Sequence, residues 1–241
     1  MIIKKFGRDI KKRIRKFLGI HDRQTSEEFC KWLREMGCTI GERVIFFDPQ
    51  TTVVDVTRPW MIEIGNDVQI PFGVSILTHG YDWAVLKGKY GDILGSAGKV
   101  KIGNNVFIGV NSTILKGVTI GNNVIIGACS LVTHDIPDNV VACGNPCRVI
   151  MSLSDYYEKR QKSQIDEASS IVKEYRKHYG RDPSDDELSE FFWIFTRENR
   201  LDIESYQKQM HNVGNYEESC KRLLEHEPDY ESKEDFLKSV K

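Results

Sequence analysis

A six-residue repeat constrains the fold of this 241-residue chain more than any other feature. Between residues 102 and 136, an aliphatic residue returns at every sixth position, and a small or branched residue follows four positions after each. The first series is Ile102, Ile108, Ile114, Ile120, Ile126 and Val132, and the second is Val106, Ser112, Val118, Val124, Ser130 and Ile136. An amphipathic helix does not explain this spacing, because its turn of about 3.6 residues would spread the series around the helix.

Short strands joined by bends do explain the period of six. The repeats IGNNVF, IGNNVI and IGACSL place Gly or Asn at the bends, where the backbone must adopt positive φ. Stacked coils would align the aliphatic residues as an inner ladder that no single coil could bury. The same spacing of six occurs earlier at Ile64, Ile70 and Ile76. The sequence therefore predicts a mainly β protein built as a parallel β-helix.

The repeat stops at the stretch SILTHGYDW, which contains His79. Ile76 and Ile102 are 26 positions apart (102 − 76), which is not a multiple of six. We therefore expect an inserted loop at about residues 81–99 that leaves the coil just after His79. Long loops in compact repeat proteins are commonly functional, and a neutral imidazole can accept the proton of a hydroxyl group. His79 is the candidate catalytic residue.

The run from Ile64 to Ile150, especially IGNNVIIGACSLVTHDIPDNVVACGNPCRVI, resembles the hexapeptide-repeat acyltransferases. It is most similar to the O-acetyltransferases of bacterial surface-polysaccharide loci, and less similar to maltose and galactoside acetyltransferases. The resemblance covers about residues 38–150. It implies a left-handed β-helix, acetyl-CoA as co-substrate, a saccharide hydroxyl as acceptor and a homotrimer with sites between subunits. It also implies that His79 is the general base, because the family places its catalytic histidine before such a loop.

The same resemblance suggests which residues bind the donor. In the family, acetyl-CoA lies in a groove between adjacent β-helices, with its pantetheine arm along the coil walls. The matching positions here are Gly109, Asn111, Ala128, Cys129, His134 and Arg148. Arg148 matches a basic residue near the nucleotide phosphates, for which a guanidinium group is well suited. Two positions depart from the family pattern, since His134 replaces a common Lys and Cys129 replaces a common Gly.

A second irregular passage, VVDVTRPW, lies upstream of the loop. Arg58 occupies an inward position of the repeat, and a polar group there needs a partner or must leave the interior. Two explanations stay open: the coil is distorted, or Asp55, Arg58 and Trp60 line the acceptor pocket.

The loop entrance adds two further acceptor candidates, Asp82 and Trp83. Trp60 and Trp83 are suited to stack on sugar rings. Either Asp55 or Asp82 could orient the catalytic histidine, and the sequence does not separate these roles.

The chain divides by pattern into three regions, residues 1–37, 38–150 and 151–241. Residues 1–20 predict a basic amphipathic helix that could lie on an anionic membrane surface or pack on the protein. A short helix is expected at residues 26–36, begun by Thr25 and ended by Gly37. Residues 151–241 predict a helical appendage of unassigned function, with helices at 154–179 and from Ser184 onward.

Composition favours a cytoplasmic enzyme, with a peripheral position on the inner membrane face as a further option. The net charge of −1 gives no field for nucleic acid. No apolar run approaches the length of a membrane span, and no signal peptide is visible. The six Cys show no paired spacing for zinc, so we expect reduced thiols and no metal site.

Three alternatives to an O-acetyltransferase can be weighed. An N-acetyltransferase acting on an amino sugar or an amine drug would use the same fold, donor and base. A non-catalytic β-helix scaffold would have no need for the loop after His79 or for Arg148. A zinc carbonic anhydrase on this fold would need three histidine ligands, whereas the repeat region offers only His79 and His134.

Overall fold

A computed structural model describes residues 23–197 and 202–241 of the chain. By its internal contacts the chain forms two compact units, of which the first ends at Ser154 and the second spans Asp155–Lys241. The predicted boundary at residue 150 falls inside the last strand of the first unit. The predicted basic helix at residues 1–20 lies outside the described residues.

The first unit consists of short strands that wind into three sheets. Helix α1 (Ser26–Met36) precedes them, and helix α2 (Trp83–Tyr90) interrupts them. The strands are β1 (Thr39–Ile40), β2 (Ile45–Phe46), β3 (Val53–Val54), β4 (Ile62–Ile64), β5 (Val68–Ile70), β6 (Ser75–Ile76), β7 (His79–Gly80), β8 (Ser96–Ala97), β9 (Val100–Ile102), β10 (Val106–Ile108), β11 (Thr113–Ile114), β12 (Thr119–Ile120), β13 (Val124–Ile126), β14 (Leu131–Val132), β15 (Val140–Cys143) and β16 (Arg148–Ser152).

The strand order of the three sheets is that of a parallel β-helix. It is β1-β4-β9-β12 in the first sheet, β16-β15-β13-β10-β5-β2 in the second and β14-β11-β6-β3 in the third. Every pair within them is parallel except β15–β16. The β-helix predicted from the repeat is confirmed.

The register explains the period of six. Val106 lies opposite Val124, so a regular coil contains 18 residues (124 − 106) and one hexapeptide per sheet. All twelve residues of the two repeat series are buried, and they form the core of the β-helix together with the earlier aliphatic positions. Because side chains at alternate strand positions face the same side, each strand supplies the core through its repeat residues.

The inserted loop has a defined size and a paired base. Ile64 lies opposite Ile102, 38 residues later (102 − 64), which is 20 more than a regular coil. The insertion contains α2, and its two ends pair as the antiparallel strands β7 and β8, with His79 opposite Ala97. Strands β4 and β9 therefore pair in register on the two sides of the insertion, and the β7–β8 pairing holds His79 at the base of the loop.

Asparagine side chains build one corner of the coil. Asn105, Asn123 and Asn139 adopt positive φ at equivalent bends, and their amides form hydrogen bonds from coil to coil. Asn104 and Asn122 precede two of them, and the Oδ1 atom of each accepts the backbone N–H of the equivalent residue in the preceding coil. Asparagine is tolerant of this backbone conformation, which accounts for the repeated Asn-Asn pair in the sequence.

Both ends of the β-helix are covered. Helix α1 begins at the Thr25 cap and ends at Gly37, as predicted, and its Phe29 and Leu33 are buried in the core. Arg34 from the same helix donates to the carbonyl oxygens of Ile40 and Gly41. At the other end, β16 adds an antiparallel strand. Covered edges cannot pair with other chains, which protects a parallel sheet from aggregation.

The second unit is helical and has its own core. Its elements are α3 (Leu153–Tyr179), a 3₁₀ turn (Phe192–Ile194), α4 (Glu204–Met210), α5 (Tyr216–Glu225) and α6 (Lys233–Ser239). No helix in the described parts of either unit is long and apolar enough to cross a bilayer.

The helix predicted from Ser184 onward is wrong. The Ser184–Glu187 contacts expected of its cap do form, but the chain continues as turns into the 3₁₀ segment. Ile194 lies outside the predicted helical face, yet it is fully buried. The carbonyls of Trp193 and Ile194 accept from the His226 ring and the Tyr230 N–H, so these tertiary contacts take the place of helical hydrogen bonds.

Candidate active site

Asp55 and His79 meet at the base of the inserted loop. The Nδ1 atom of His79 lies 2.6 Å from Oδ2 of Asp55. The Asp55 side chain is 6% exposed and the His79 side chain is 26% exposed. A carboxylate on Nδ1 fixes the proton at that nitrogen, which leaves the Nε2 lone pair available. No described residue forms a hydrogen bond to Nε2.

Two threonines hold the Asp55 carboxylate in place. Thr57 donates its backbone N–H and its hydroxyl to Oδ1, and Thr78 donates the same two groups to Oδ2. Burial of the carboxylate raises its pKa, but the hydrogen bonds from Thr57, Thr78 and His79 outweigh that effect and hold the pKa below its ordinary value. Asp55 is therefore a buried carboxylate that stays charged.

Stacking of neighbouring coils brings these residues together. Val54 lies opposite Ile76, and the backbone N–H of Asp55 donates to the Ile76 carbonyl. Asp55 directly follows β3, and it therefore lies next to the residues that directly follow β6 in the neighbouring coil. Thr78 is fully buried there, and the following residue, His79, starts the insertion.

The coil is distorted around the other two upstream candidates, Arg58 and Trp60. Arg58 precedes a 3₁₀ turn at Pro59–Met61 and is only partly buried, so the inward position expected for it does not exist. Thr52, at the preceding inward position, is buried and donates its hydroxyl to the Asp48 carbonyl. Trp60 is 70% exposed. The structure therefore brings Asp55 to His79 and gives no contact that joins Arg58 or Trp60 to this pair.

At the loop entrance, Asp82 and Trp83 begin helix α2. The Asp82 carboxylate folds back over Gly80, where an added Cβ would meet its Oδ1 atom at 2.2 Å. The Trp83 ring lies 5.0 Å from the ring of Tyr81, so the two aromatic side chains form a pair at the loop entrance. Of the two candidate orienting residues, Asp55 rather than Asp82 contacts the histidine.

The candidate donor residues lie along the coil walls and at the last hairpin. Gly109 is buried where an added Cβ would meet the backbone N of Ala128 at 2.4 Å, so glycine permits the close stacking of these coils. Asn111 and Cys129 occupy equivalent bends with positive φ and are exposed, as is Ala128. These exposed backbones form a continuous wall.

His134 and Arg148 are also exposed. The Nδ1 atom of His134 lies 2.8 Å from the Thr133 hydroxyl, and Arg148 donates to the Cys147 carbonyl. Their charged or polar ends are thus at the surface, where a phosphate group could reach them. Among the described residues no cluster of His, Cys, Asp and Glu suited to a metal ion occurs.

Sequence reasoning missed the contribution of Thr57 and of Thr78 to holding Asp55. A local signal was present, because Asp followed two residues later by Thr is typical of a turn in which the carboxylate accepts the backbone N–H. The contact between Thr78 and Asp55 had no comparable signal, since it depends on how two coils stack.

Comparisons with known proteins agree with this architecture. The family model "Bacterial transferase hexapeptide (six repeats)" matches residues 99–134. Protein CapG of Staphylococcus aureus is 42% identical over 143 residues, which is 59% of this chain and 80% of that protein. A galactoside O-acetyltransferase of Escherichia coli (strain K12) is 43% identical in an alignment of 150 residues that covers 54% of this chain and 73% of that protein.

Among solved structures, a maltose O-acetyltransferase from Clostridium difficile 630 is 30% identical, with a TM-score of 0.39 over 60% of this chain and 85% of that one. The repeat, the inner ladders and the histidine at the loop base define a transferase of the β-helix class. On the extent and identity of its sequence relatives, the chain belongs to the hexapeptide-repeat acyltransferase family, whose β-helix is left-handed.

Proposed function

We propose that this enzyme transfers an acetyl group from acetyl-CoA to a hydroxyl group of a saccharide, with His79 as general base. The observation that carries the proposal is the Asp55–His79 contact at the base of the inserted loop. The names of the relatives, which include galactoside and maltose O-acetyltransferases, support the acetyl donor and the sugar acceptor.

The geometry suits direct transfer without a covalent enzyme intermediate. Nε2 of His79 accepts the proton of the acceptor hydroxyl while the hydroxyl oxygen attacks the thioester carbonyl carbon. The new C–O bond forms first, and the C–S bond then breaks to release CoA, whose sulfur takes the proton back from the imidazolium. The charged Asp55 stabilises that imidazolium and keeps the ring oriented, as a buried carboxylate does in other histidine bases.

The donor site in this proposal lies between two β-helices. The N–H groups of Gly109, Asn111 and Cys129 already donate to neighbouring coils, so this wall offers the pantetheine amides the backbone N–H of Ala128 and the wall's C=O groups. Arg148 offers its guanidinium group to the phosphates. The acceptor site includes Asp55, Arg58, Trp60, Asp82 and Trp83. The assembly is a homotrimer with three equivalent sites, in keeping with the family resemblance.

An acceptor screen with acetyl-CoA tests the proposal. Purified enzyme is incubated with neutral sugars, amino sugars and amine drugs, and the products are identified by mass spectrometry. The expected product is an O-acetylated saccharide that the His79→Ala variant does not form. Acetylation of amines alone would replace the proposal with an N-acetyltransferase, and absence of any product would favour a non-catalytic scaffold.

The proposed site of action is the cytoplasm, with residues 1–20 bringing the enzyme to an anionic membrane surface. The support is sequence alone, namely eight Lys or Arg against one Asp in that segment. Each basic residue near such a surface contributes about 1 kcal/mol of binding free energy. Co-sedimentation with anionic vesicles at low salt should be lost when residues 1–20 are deleted. Absence of co-sedimentation for the intact chain would contradict this.

A further inference from the structure

The second unit contains a cleft that the proposed reaction does not use. A cavity of about 560 Å³ lies between α3, the turn before the 3₁₀ segment and α5. A second cavity of about 320 Å³ adjoins it and shares the residues Glu190, Trp193, Asn215 and Ser219. Both volumes are in the range of small-molecule sites. We propose that this double cavity, the Trp193 cleft, is a binding site for a neutral or amino-substituted saccharide.

The neutral polar groups of the Trp193 cleft match the chemistry of a sugar. A sugar hydroxyl both donates and accepts hydrogen bonds, and its best partners are groups that do the same. Side-chain amides and hydroxyls have this property, and five of them line the larger cavity of the cleft: Tyr157, Gln161, Gln164, Asn215 and Ser219. The first three project from one face of α3 at helical spacing, and Gln161 donates to the Tyr157 hydroxyl. This row offers several directed contacts to one ligand.

Trp193 provides an aromatic surface where the two cavities meet. Its ring is partly exposed, and its backbone carbonyl accepts from Nε2 of His226 at 2.6 Å. The His226 and Trp193 rings are 5.1 Å apart, so His226 contacts both the backbone and the indole ring of Trp193. The C–H face of a sugar ring is apolar and slightly positive, which suits the negative face of an indole.

The charge of the cleft restricts the class of saccharide. Glu190, Glu218, Glu227 and Asp229 line it against one Arg222. Like charges across a binding site are unfavourable, so uronic acids and sugar phosphates are disfavoured. A basic peptide would need only hydrogen-bond acceptors in the cleft. Half of the residues that line it have side chains that both donate and accept hydrogen bonds. The lining therefore favours a saccharide without acidic groups over a peptide.

Every residue of the Trp193 cleft belongs to the second unit, so saccharide binding there does not depend on His79 chemistry.

The experiment uses the full chain carrying His79→Ala, without acetyl-CoA, so that no acceptor is modified during the measurement. The labelled protein is applied to an array of neutral, amino-substituted and acidic oligosaccharides, and the strongest ligand is then measured by calorimetry. We expect saturable binding to neutral or amino-substituted oligosaccharides and much weaker binding to acidic ones. Tyr157→Ala and Gln164→Ala should each weaken binding roughly three- to tenfold.

Tyr179→Ala is the matched control, because Tyr157 and Tyr179 lie on the same helix, are 55% and 59% exposed, and only the first lines the cleft. Binding by this variant should equal that of the parent, with the circular dichroism of all variants unchanged. Three results would overturn the inference: no binding to any non-acidic saccharide, binding that neither cleft variant weakens, or preferential binding of a lysine-rich peptide. Cleft binding together with no acetyl transfer by the enzyme that retains His79 would contradict the proposed function alone.

Discussion

Asp55 stabilises a histidine that must change its charge during the reaction. Its carboxylate has five hydrogen-bond contacts, four from Thr57 and Thr78 and one to His79. A carboxylate held this firmly costs no reorganisation when the imidazole becomes charged. The contact therefore affects the rate of transfer more than the affinity for either substrate.

Replacing His79 by Ala should lower kcat roughly 10²- to 10⁴-fold, since the general base is lost. The affinity for CoA should stay at the wild-type value, because the donor wall is built from other residues. Steady-state kinetics and calorimetry with CoA check these two expectations. His178→Ala, at an exposed position of α3, is the control and should leave kcat unchanged. A His79→Ala enzyme with near-normal turnover would exclude the mechanism.

Replacing Asp55 by Asn should lower kcat by up to roughly 10⁴-fold, because the amide keeps the shape but neither carries the charge nor fixes the proton on Nδ1 of His79. The defect should fall on kcat rather than on the KM for acetyl-CoA. A variant with wild-type kcat would show that the contact is structural only.

The same variant should change how stability depends on pH. The pKa of Asp55 is lowered on folding, so the unfolded chain binds this proton more readily than the folded one. The contribution of Asp55 to the free energy of unfolding is thus fully present at neutral pH. It is lost as the pH falls below the ordinary value of about 4 toward the lowered value.

Chemical denaturation of wild type and Asp55→Asn between neutral and acid pH measures this effect. The wild type should be the more stable protein at neutral pH, and the difference should narrow as the pH falls below about 4. A difference that stays constant with pH would contradict the assigned cause.

At the scale of the element, the fold depends on how closely successive coils approach. A Cβ added at Gly65 would lie 2.6 Å from the carbonyl oxygen of Gly103 in the next coil. Gly88 has no atom within 4 Å of such a Cβ, and it lies inside the exposed helix α2. Gly65 is therefore required for the close approach of two coils, whereas the position of Gly88 has room for a side chain.

Gly65→Ala should destabilise the protein by about 1–3 kcal/mol, since the backbones must move apart. Gly88→Ala should leave the thermal midpoint unchanged or raise it, because alanine favours a helix by about 0.5–1 kcal/mol. Thermal unfolding of both variants separates the effects. Equal midpoints would mean that the coils can shift to accept a methyl group.

Elements that local interactions stabilise could be predicted from the sequence, whereas elements that depend on contacts with distant residues could not. The inner ladders were predictable, because each hexapeptide repeats its own pattern regardless of its neighbours. Helix α1 was predictable from its local capping residues Thr25 and Gly37. The region after Ser184 was predicted wrongly, because tertiary contacts of Ile194, which is buried and accepts the Tyr230 N–H, outweighed a local helical pattern.

The Asp55–His79 pair is the part of the candidate site that the sequence could not fix. The two residues are 24 positions apart, and their approach depends on a coil of 22 residues (76 − 54) instead of 18. The extra residues form the irregular turn around Pro59. An irregular turn leaves no repeating pattern in the sequence. The sequence alone therefore could not show whether Asp55 or Asp82 orients His79.

At the scale of the whole molecule, the proposed trimer places His79 of one subunit and the donor wall of another in each site. Mixed trimers test this arrangement. His79→Ala removes the base, and Ala128→Trp obstructs the wall at an exposed position. Each variant alone should be inactive because all three of its sites carry the same defect.

Unfolding the two variants together and refolding them at equal ratio should restore activity. If base and wall come from different subunits, random assembly leaves about a quarter of the sites with both intact. The refolded mixture should therefore reach about a quarter of the turnover of wild type treated in the same way. Light scattering must show trimers in every sample. If the base and the wall of each site belong to one subunit, the mixture would stay inactive, and the placement of the site between subunits would be wrong.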